Sequence, residues 1–166
     1  MKNAGWLLLL GLAACGGADL PPSAPSALTD KNAPPLNVTA MDGREVRDMR
    51  LRGKITIVTF FSKQCLACER WTPAVELIGR EERDVNVVGV AQDEFEADAR
   101  DLVTNWRLSF PVVHDKGRAV STRFGAGELP TTVLVDSVGI VRWVGGPAQT
   151  DADLRKAIEV LREQPR

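Results

Sequence analysis

The chain has no tyrosine, one histidine and three cysteines among 166 residues, and each shortage excludes chemistry. Without phenols and with a single imidazole, most general-base and metal-ligand schemes are removed before any motif is considered. A net charge of −1 implies no basic face for nucleic acid or acidic lipid from the totals. No apolar run approaches the roughly 20 residues that a membrane-spanning helix needs. Three cysteines are also too few for a disulfide-stapled miniprotein, whereas 44% hydrophobic residues suffice for one ordinary core.

What is present starts at the N-terminus. Met1-Lys2 brings a positive charge, residues 4–12 form an apolar run, and Ala13-Ala14 precedes Cys15. This is the layout of a secretion signal. Leu12-Ala13-Ala14-Cys15 resembles the lipobox of bacterial lipoproteins, in which the cysteine becomes the acylated first residue of the mature protein. That resemblance implies that residues 1–15 are a lipoprotein signal, that Cys15 is a membrane anchor, and that the domain works on the outer side of the cytoplasmic membrane. Residues 16–35 hold half of the ten prolines and show no period, so they are expected to be a flexible tether reaching about 25 Å as a coil. The folded domain is expected over residues 36–166.

Alternating residues 36–40 before the turn signal Met41-Asp42-Gly43 suggest an opening hairpin. Residues 55–61 and 85–91 read as buried strands, the first of them central. Between them, Trp71, Val75, Leu77 and Ile78 recur at helical spacing, with Pro73 inside the run. Residues 94–106 read as an exposed helix, and the β–helix–β order argues for a parallel pair of strands with a right-handed crossover. Residues 131–135 and 140–144 flank Asp136-Ser137-Val138-Gly139 and should pair antiparallel. Thr150 and Asp153 form a capping box for a closing helix that buries Leu154, Ala157, Ile158 and Leu161.

The chemistry lies in Cys65-Leu66-Ala67-Cys68, directly after the central strand. Two thiols at this spacing can open and close as a disulfide. A helix starting at or just after Cys65 would turn its unpaired N–H groups toward that sulfur and favour its thiolate. Cys65 is therefore assigned as nucleophile and Cys68, one turn inside, as the resolving thiol. Zinc would need two more ligands, and only His114 and carboxylates remain. Pro130 stands at the start of a strand, where it costs no ladder bond and where a cis peptide is admissible.

Strand, Cys pair, Pro73-containing helix and the Pro130-Thr131-Thr132 strand start together resemble the thioredoxin fold, an α/β architecture with a central mixed sheet flanked by helices, here with an N-terminal hairpin extension. Met41-Asp42-Gly43, Gly53-Lys54, Phe110-Pro111-Val112 and Asp136-Ser137-Val138-Gly139 more narrowly resemble the membrane-tethered TlpA/ResA-type thiol-disulfide proteins. The likeness covers residues 36–161. It implies a cis Pro130 facing the Cys pair and a Leu129 backbone that pairs with substrate. It further implies a thiol-disulfide oxidoreductase, more in the manner of a reductant, with protein dithiols or disulfides and a membrane electron donor as partners, no cofactor, no metal, no nucleic acid and no second copy of the chain.

Four positions depart from that pattern: Gln64 stands for Trp, Ala67 for Pro, Thr59 for a buried acid and Trp71 for Glu. The usual proton acceptor for Cys68 is thus missing, and Glu69 should face solvent. A dithiol oxidase and a binding lipoprotein with a structural disulfide are the alternatives. A peroxiredoxin-like peroxidase is a third, since Ser62-Lys63-Gln64-Cys65 mimics its S/T-x-x-C, but Thr59 replaces the proline expected there. Lys63 reads as a solvated lysine, His114 as a loop residue, and Trp71, Trp106 and Trp143 as packing residues.

Overall fold

Gly43 takes φ 84°, a backbone open to glycine, and lets Met41-Asp42-Gly43 close the turn between β1 (Val38–Thr39) and β2 (Glu45–Val46). Val38 lies opposite Val46, so the expected hairpin is present. The computed structural model describes residues 19–51 and 53–163, so Cys15, the signal and residues 16–18 lie outside it. After a single turn, α1 (Asp48–Leu51), the chain enters β3 (Ile55–Phe61), α2 (Cys68–Glu81) and β4 (Val85–Ala91). It continues through α3 (Glu96–Asn105), β5 (Val112–His114), α4 (Ala119–Arg123), β6 (Thr131–Val135), β7 (Val141–Gly145) and α5 (Asp151–Glu163).

Five strands form one sheet in the order β5-β4-β3-β6-β7. β3 is central: it pairs parallel with β4 and antiparallel with β6. All seven of its residues are buried, which is why the run carries no polar break apart from threonine. Alternation sends Ile57 and Phe61 to one face and Val58 and Phe60 to the other, and a separate apolar cluster grows on each.

The first or helix face is covered by α2, α3 and α5, which contribute Val75, Ile78, Leu102, Leu154 and Ile158. Each helix lies on it with its apolar stripe, though Leu77, counted in that stripe, is 52% exposed. Thr150 and Asp153 form the expected box: Asp153 N–H donates to Thr150 Oγ1 at 3.3 Å, and Thr150 N–H donates back to the carboxylate at 2.8 Å.

The second face corrects the sequence reading of residues 16–35 as a free tether. Within the described part of that segment, Ala24 N–H donates to Val144 O at 2.7 Å, Asp30 N–H to Val141 O at 2.8 Å, and Ala33 N–H to Gly139 O at 2.9 Å. Val144 N–H in turn donates to Ser23 Oγ, and Val141 N–H to Lys31 O. Ala24, Leu28 and Ala33 pack on this face, whereas Leu20 reaches the helix face. The segment is a strap. β7 is an edge strand whose outward N–H and C=O groups would otherwise be unpaired, and a proline-rich chain can satisfy them without becoming a strand itself.

Candidate active site

β3 ends at Phe61, and the next residues turn sharply into α2: Cys65 N–H donates to Ser62 O at 3.2 Å and Cys68 N–H to Cys65 O at 3.0 Å. The regular helix starts at Cys68, three residues later than the earliest start the sequence allows, with Ala67 already helical at φ −65°. The N–H that meets the first sulfur is consequently that of Cys68, which lies 3.1 Å from Cys65 Sγ. In the reduced protein such a donor favours thiolate over thiol at Cys65.

Cys65 and Cys68 are joined in a disulfide, with S–S 2.04 Å and Cα–Cα 5.2 Å. Their surroundings differ. Cys68 is fully buried among Trp71, Val75 and the rest of the helix-face cluster, whereas Cys65 is partly exposed. Only one of the two sulfurs can be approached from outside.

The antiparallel pairing of β3 with β6 sets Phe60 opposite Thr131, so the chain that precedes β6 emerges beside the loop that carries the cysteines. The Leu129–Pro130 peptide there is cis. A cleft of about 430 Å³ opens at this junction, lined by Ser62, Gln64, Cys65, Gln92, Arg118 and Leu129 among others. The Leu129 backbone makes no hydrogen bond among the described residues. Leu66, between the cysteines, is 82% exposed.

Beneath the helix start, where Thr59 and Trp71 stand in place of the acids of the resembling family, lies a neutral chain of side chains. Thr59 and Thr132 face each other across the strands at 2.9 Å, and Trp71 Nε1–H donates to Thr132 Oγ1 at 2.8 Å. Both threonines are fully buried. Trp71 therefore does more than pack: it ties α2 to β6 next to Pro130. Two threonines at facing positions of two predicted buried strands were the available sign of such a link. Trp106 sits edge-on to Phe61, and Trp143 Nε1–H donates to Pro22 O of the strap at 3.1 Å.

Around the Cys loop, Asp93 is a residue that the sequence reading overlooked. It is buried, its Oδ1 accepts Lys63 N–H at 2.8 Å, and its Oδ2 has no partner in the structure. Burial pushes its carboxyl above the ordinary aspartate range. Lys63 itself leans away to Asp98 at 2.5 Å, and that hydrogen bond raises its pKa. His114 ends β5 rather than lying in a loop, with Nε2 2.8 Å from the Asp93 carbonyl oxygen. Glu69 is exposed.

A CxxC disulfide ahead of a helix, beside a cis-proline at the start of the neighbouring antiparallel strand, defines a thioredoxin-type domain. The chain belongs to the AhpC/TSA family, whose pattern matches residues 29–144. It is 33% identical over 113 residues to the thiol-disulfide oxidoreductase ResA of Bacillus anthracis, a match covering 67% of this chain and 65% of that relative's length. A second ResA, from Geobacillus thermodenitrificans, is 28% identical over 161 residues, 94% of this chain and 92% of its own. The crystal structure of a thiol:disulfide interchange protein from Chlorobium tepidum superposes with a TM-score of 0.69 at 23% identity, covering 83% of this chain and 99% of that one. The fold is shared with that structure, and the sequence likeness is of the ResA type.

Proposed function

We propose that the domain is an extracytoplasmic thiol-disulfide oxidoreductase acting on protein disulfides and dithiols, with Cys65 as nucleophile, Cys68 as resolving thiol, and a membrane electron donor to recharge it as a reductant. The observation that carries this reading is the asymmetry of the pair: Cys65 opens into a cleft beside the unbonded Leu129 backbone, and Cys68 lies buried behind it. In the reduced form, the Cys65 thiolate attacks one sulfur of a substrate disulfide. That bond breaks, a mixed disulfide forms, and the leaving substrate thiolate takes a proton from water. Cys68 then gives up its proton to solvent and attacks Cys65 Sγ, releasing the second substrate thiol and restoring the disulfide. Two electrons pass to the substrate. Leu129 offers its N–H and C=O to an extended substrate segment, and Pro130 shapes that edge.

The signal-like N-terminus and the Cys15 pattern support a membrane anchor. Because the strap is docked from about Leu20 onward, the chain from Cys15 to Leu20 can span at most roughly 18 Å. An acylated Cys15 would hold the domain close to the membrane rather than on a long leash. Palmitate labelling of the wild type and its loss in Cys15→Ala tests the anchor.

The activity is tested by trapping. Cys68→Ser should accumulate mixed disulfides with partner proteins on non-reducing gels and Cys65→Ser should not; equal trapping by both variants overturns the assignment. A reduction potential below about −300 mV together with no insulin reduction would instead mark the bond as structural.

A further inference from the structure

We propose that Arg118 selects substrates by pairing with an acidic side chain next to the target cysteine, so that disulfides flanked by Asp or Glu are preferred. This rests on the oxidoreductase reading above and adds a substrate class to it.

Arg118 is the only charged residue lining the cleft into which Cys65 opens. Its backbone is firmly planted. The Asp115 carboxylate accepts Val120 N–H at 3.0 Å and Ser121 N–H at 2.7 Å, Asp115 O accepts Arg118 N–H at 2.9 Å, and Arg118 takes the left-handed φ of 60° that turns the chain into α4. The guanidinium, by contrast, is little used. One N–H reaches Ala126 O at 3.4 Å, and no carboxylate pairs with Arg118 among the described residues. Gln92 already donates to the same carbonyl at 2.9 Å, so the loop that leads to Leu129 has its own support. Lys63, the cation nearest to Cys65 in sequence, is held by Asp98.

An arginine whose backbone is held and most of whose five donors are free, on the wall of a cleft with no acid of its own, is complementary to a carboxylate on whatever enters. What enters is an extended segment paired with the Leu129 backbone, its cysteine at Cys65. Residues flanking that cysteine then pass along the cleft wall.

The test uses the full-length protein, reduced with dithiothreitol and freed of reductant. Its substrates are three synthetic peptide disulfides that differ only in Asp, Asn or Lys beside the cysteine. At low ionic strength the Asp peptide should be reduced roughly three- to five-fold faster in kcat/KM than the Asn peptide, as expected for a partly exposed pair, and the Lys peptide more slowly. The Asp-to-Asn ratio should collapse toward one in Arg118→Gln and in 0.5 M salt, and return in part in Arg118→Lys. A ratio that survives in Arg118→Gln overturns the proposal. So does an equal loss for all three peptides accompanied by a raised Cys65 thiol pKa, which would make Arg118 a stabiliser of the thiolate instead. Equal rates on all three peptides with insulin still reduced would overturn selection by Arg118 alone. Failure to reduce any peptide or insulin would overturn the oxidoreductase reading and this proposal with it.

Discussion

The two faces of the central sheet are closed by different kinds of chain. Three helices, α2, α3 and α5, cover the face on which Cys68 is buried. The other face is closed by the short α4, by α1 and by an irregular strap that carries five prolines. Helices bring a continuous apolar stripe and satisfy their own backbone, so they can bury large side chains deeply. A strap with few hydrogen bonds of its own, among them Lys31 N–H to Leu28 O at 2.9 Å, must borrow most of its partners, and it finds them on the free edge of β7. The difference teaches where rigidity is concentrated: the reactive pair stands on the helix face, at the start of α2, while the strap guards an edge.

If this contrast is right, equal truncations should not cost the same. Leu154 is fully buried on the helix face, and Leu154→Ala should lower the unfolding free energy by about 2–5 kcal/mol. Leu28 in the strap is only half-buried, and Leu28→Ala should cost about 1 kcal/mol, with insulin reduction unaffected. Urea denaturation of the two variants checks both figures. Equal losses would break the contrast and make the strap a full part of the core.

The same contrast explains what could be read in advance. β3, β4 and β6 were legible because runs rich in β-branched residues report burial on both faces, and α2 and α5 because their apolar positions repeat with helical period. The strap was not legible, because its partners are backbone groups of β7 and its own side chains show no period. At the site, the Cys pair and Pro130 stood out as local patterns. Trp71, Asp93 and Arg118 did not, since each acquires its setting from residues distant in sequence: Thr132, Lys63 and the cleft around Cys65.

A sharper probe of the helix face is the neutral chain under the cysteines. Thr132→Val keeps the shape of the side chain but removes the acceptor for Trp71 Nε1–H, leaving a buried donor unpaired and Thr59 without its partner. The expected cost is about 1–3 kcal/mol in unfolding free energy. The Thr59–Thr132–Trp71 network holds no titratable group, so Thr132→Val should leave the pH profile of disulfide reduction as it is in the wild type. A profile that shifts in Thr132→Val would mean that this neutral chain takes part in proton transfer at the cysteines.

The smallest effect concerns Asp93, at the end of the sheet where the Cys loop joins the helix face. Its carboxyl is held above the ordinary range, chiefly because burial penalises the charged form, and Oδ2 has no donor to offset that penalty. With a folded pKa above the unfolded one, the contribution of Asp93 to stability is complete below the unfolded pKa of about 4 and is lost as pH rises through the folded value. Asp93→Asn keeps the Oδ1 acceptor for Lys63 N–H and removes the charge. Its stability relative to wild type should therefore be lowest near pH 3 and climb toward pH 7, as followed by thermal unfolding across that range. A difference that stays flat with pH would mean that Asp93 is no worse off ionised in the fold than in water. The Cys loop would then be anchored by a carboxylate that solvent reaches, and the helix face would be less tightly closed at its reactive end than its buried residues indicate.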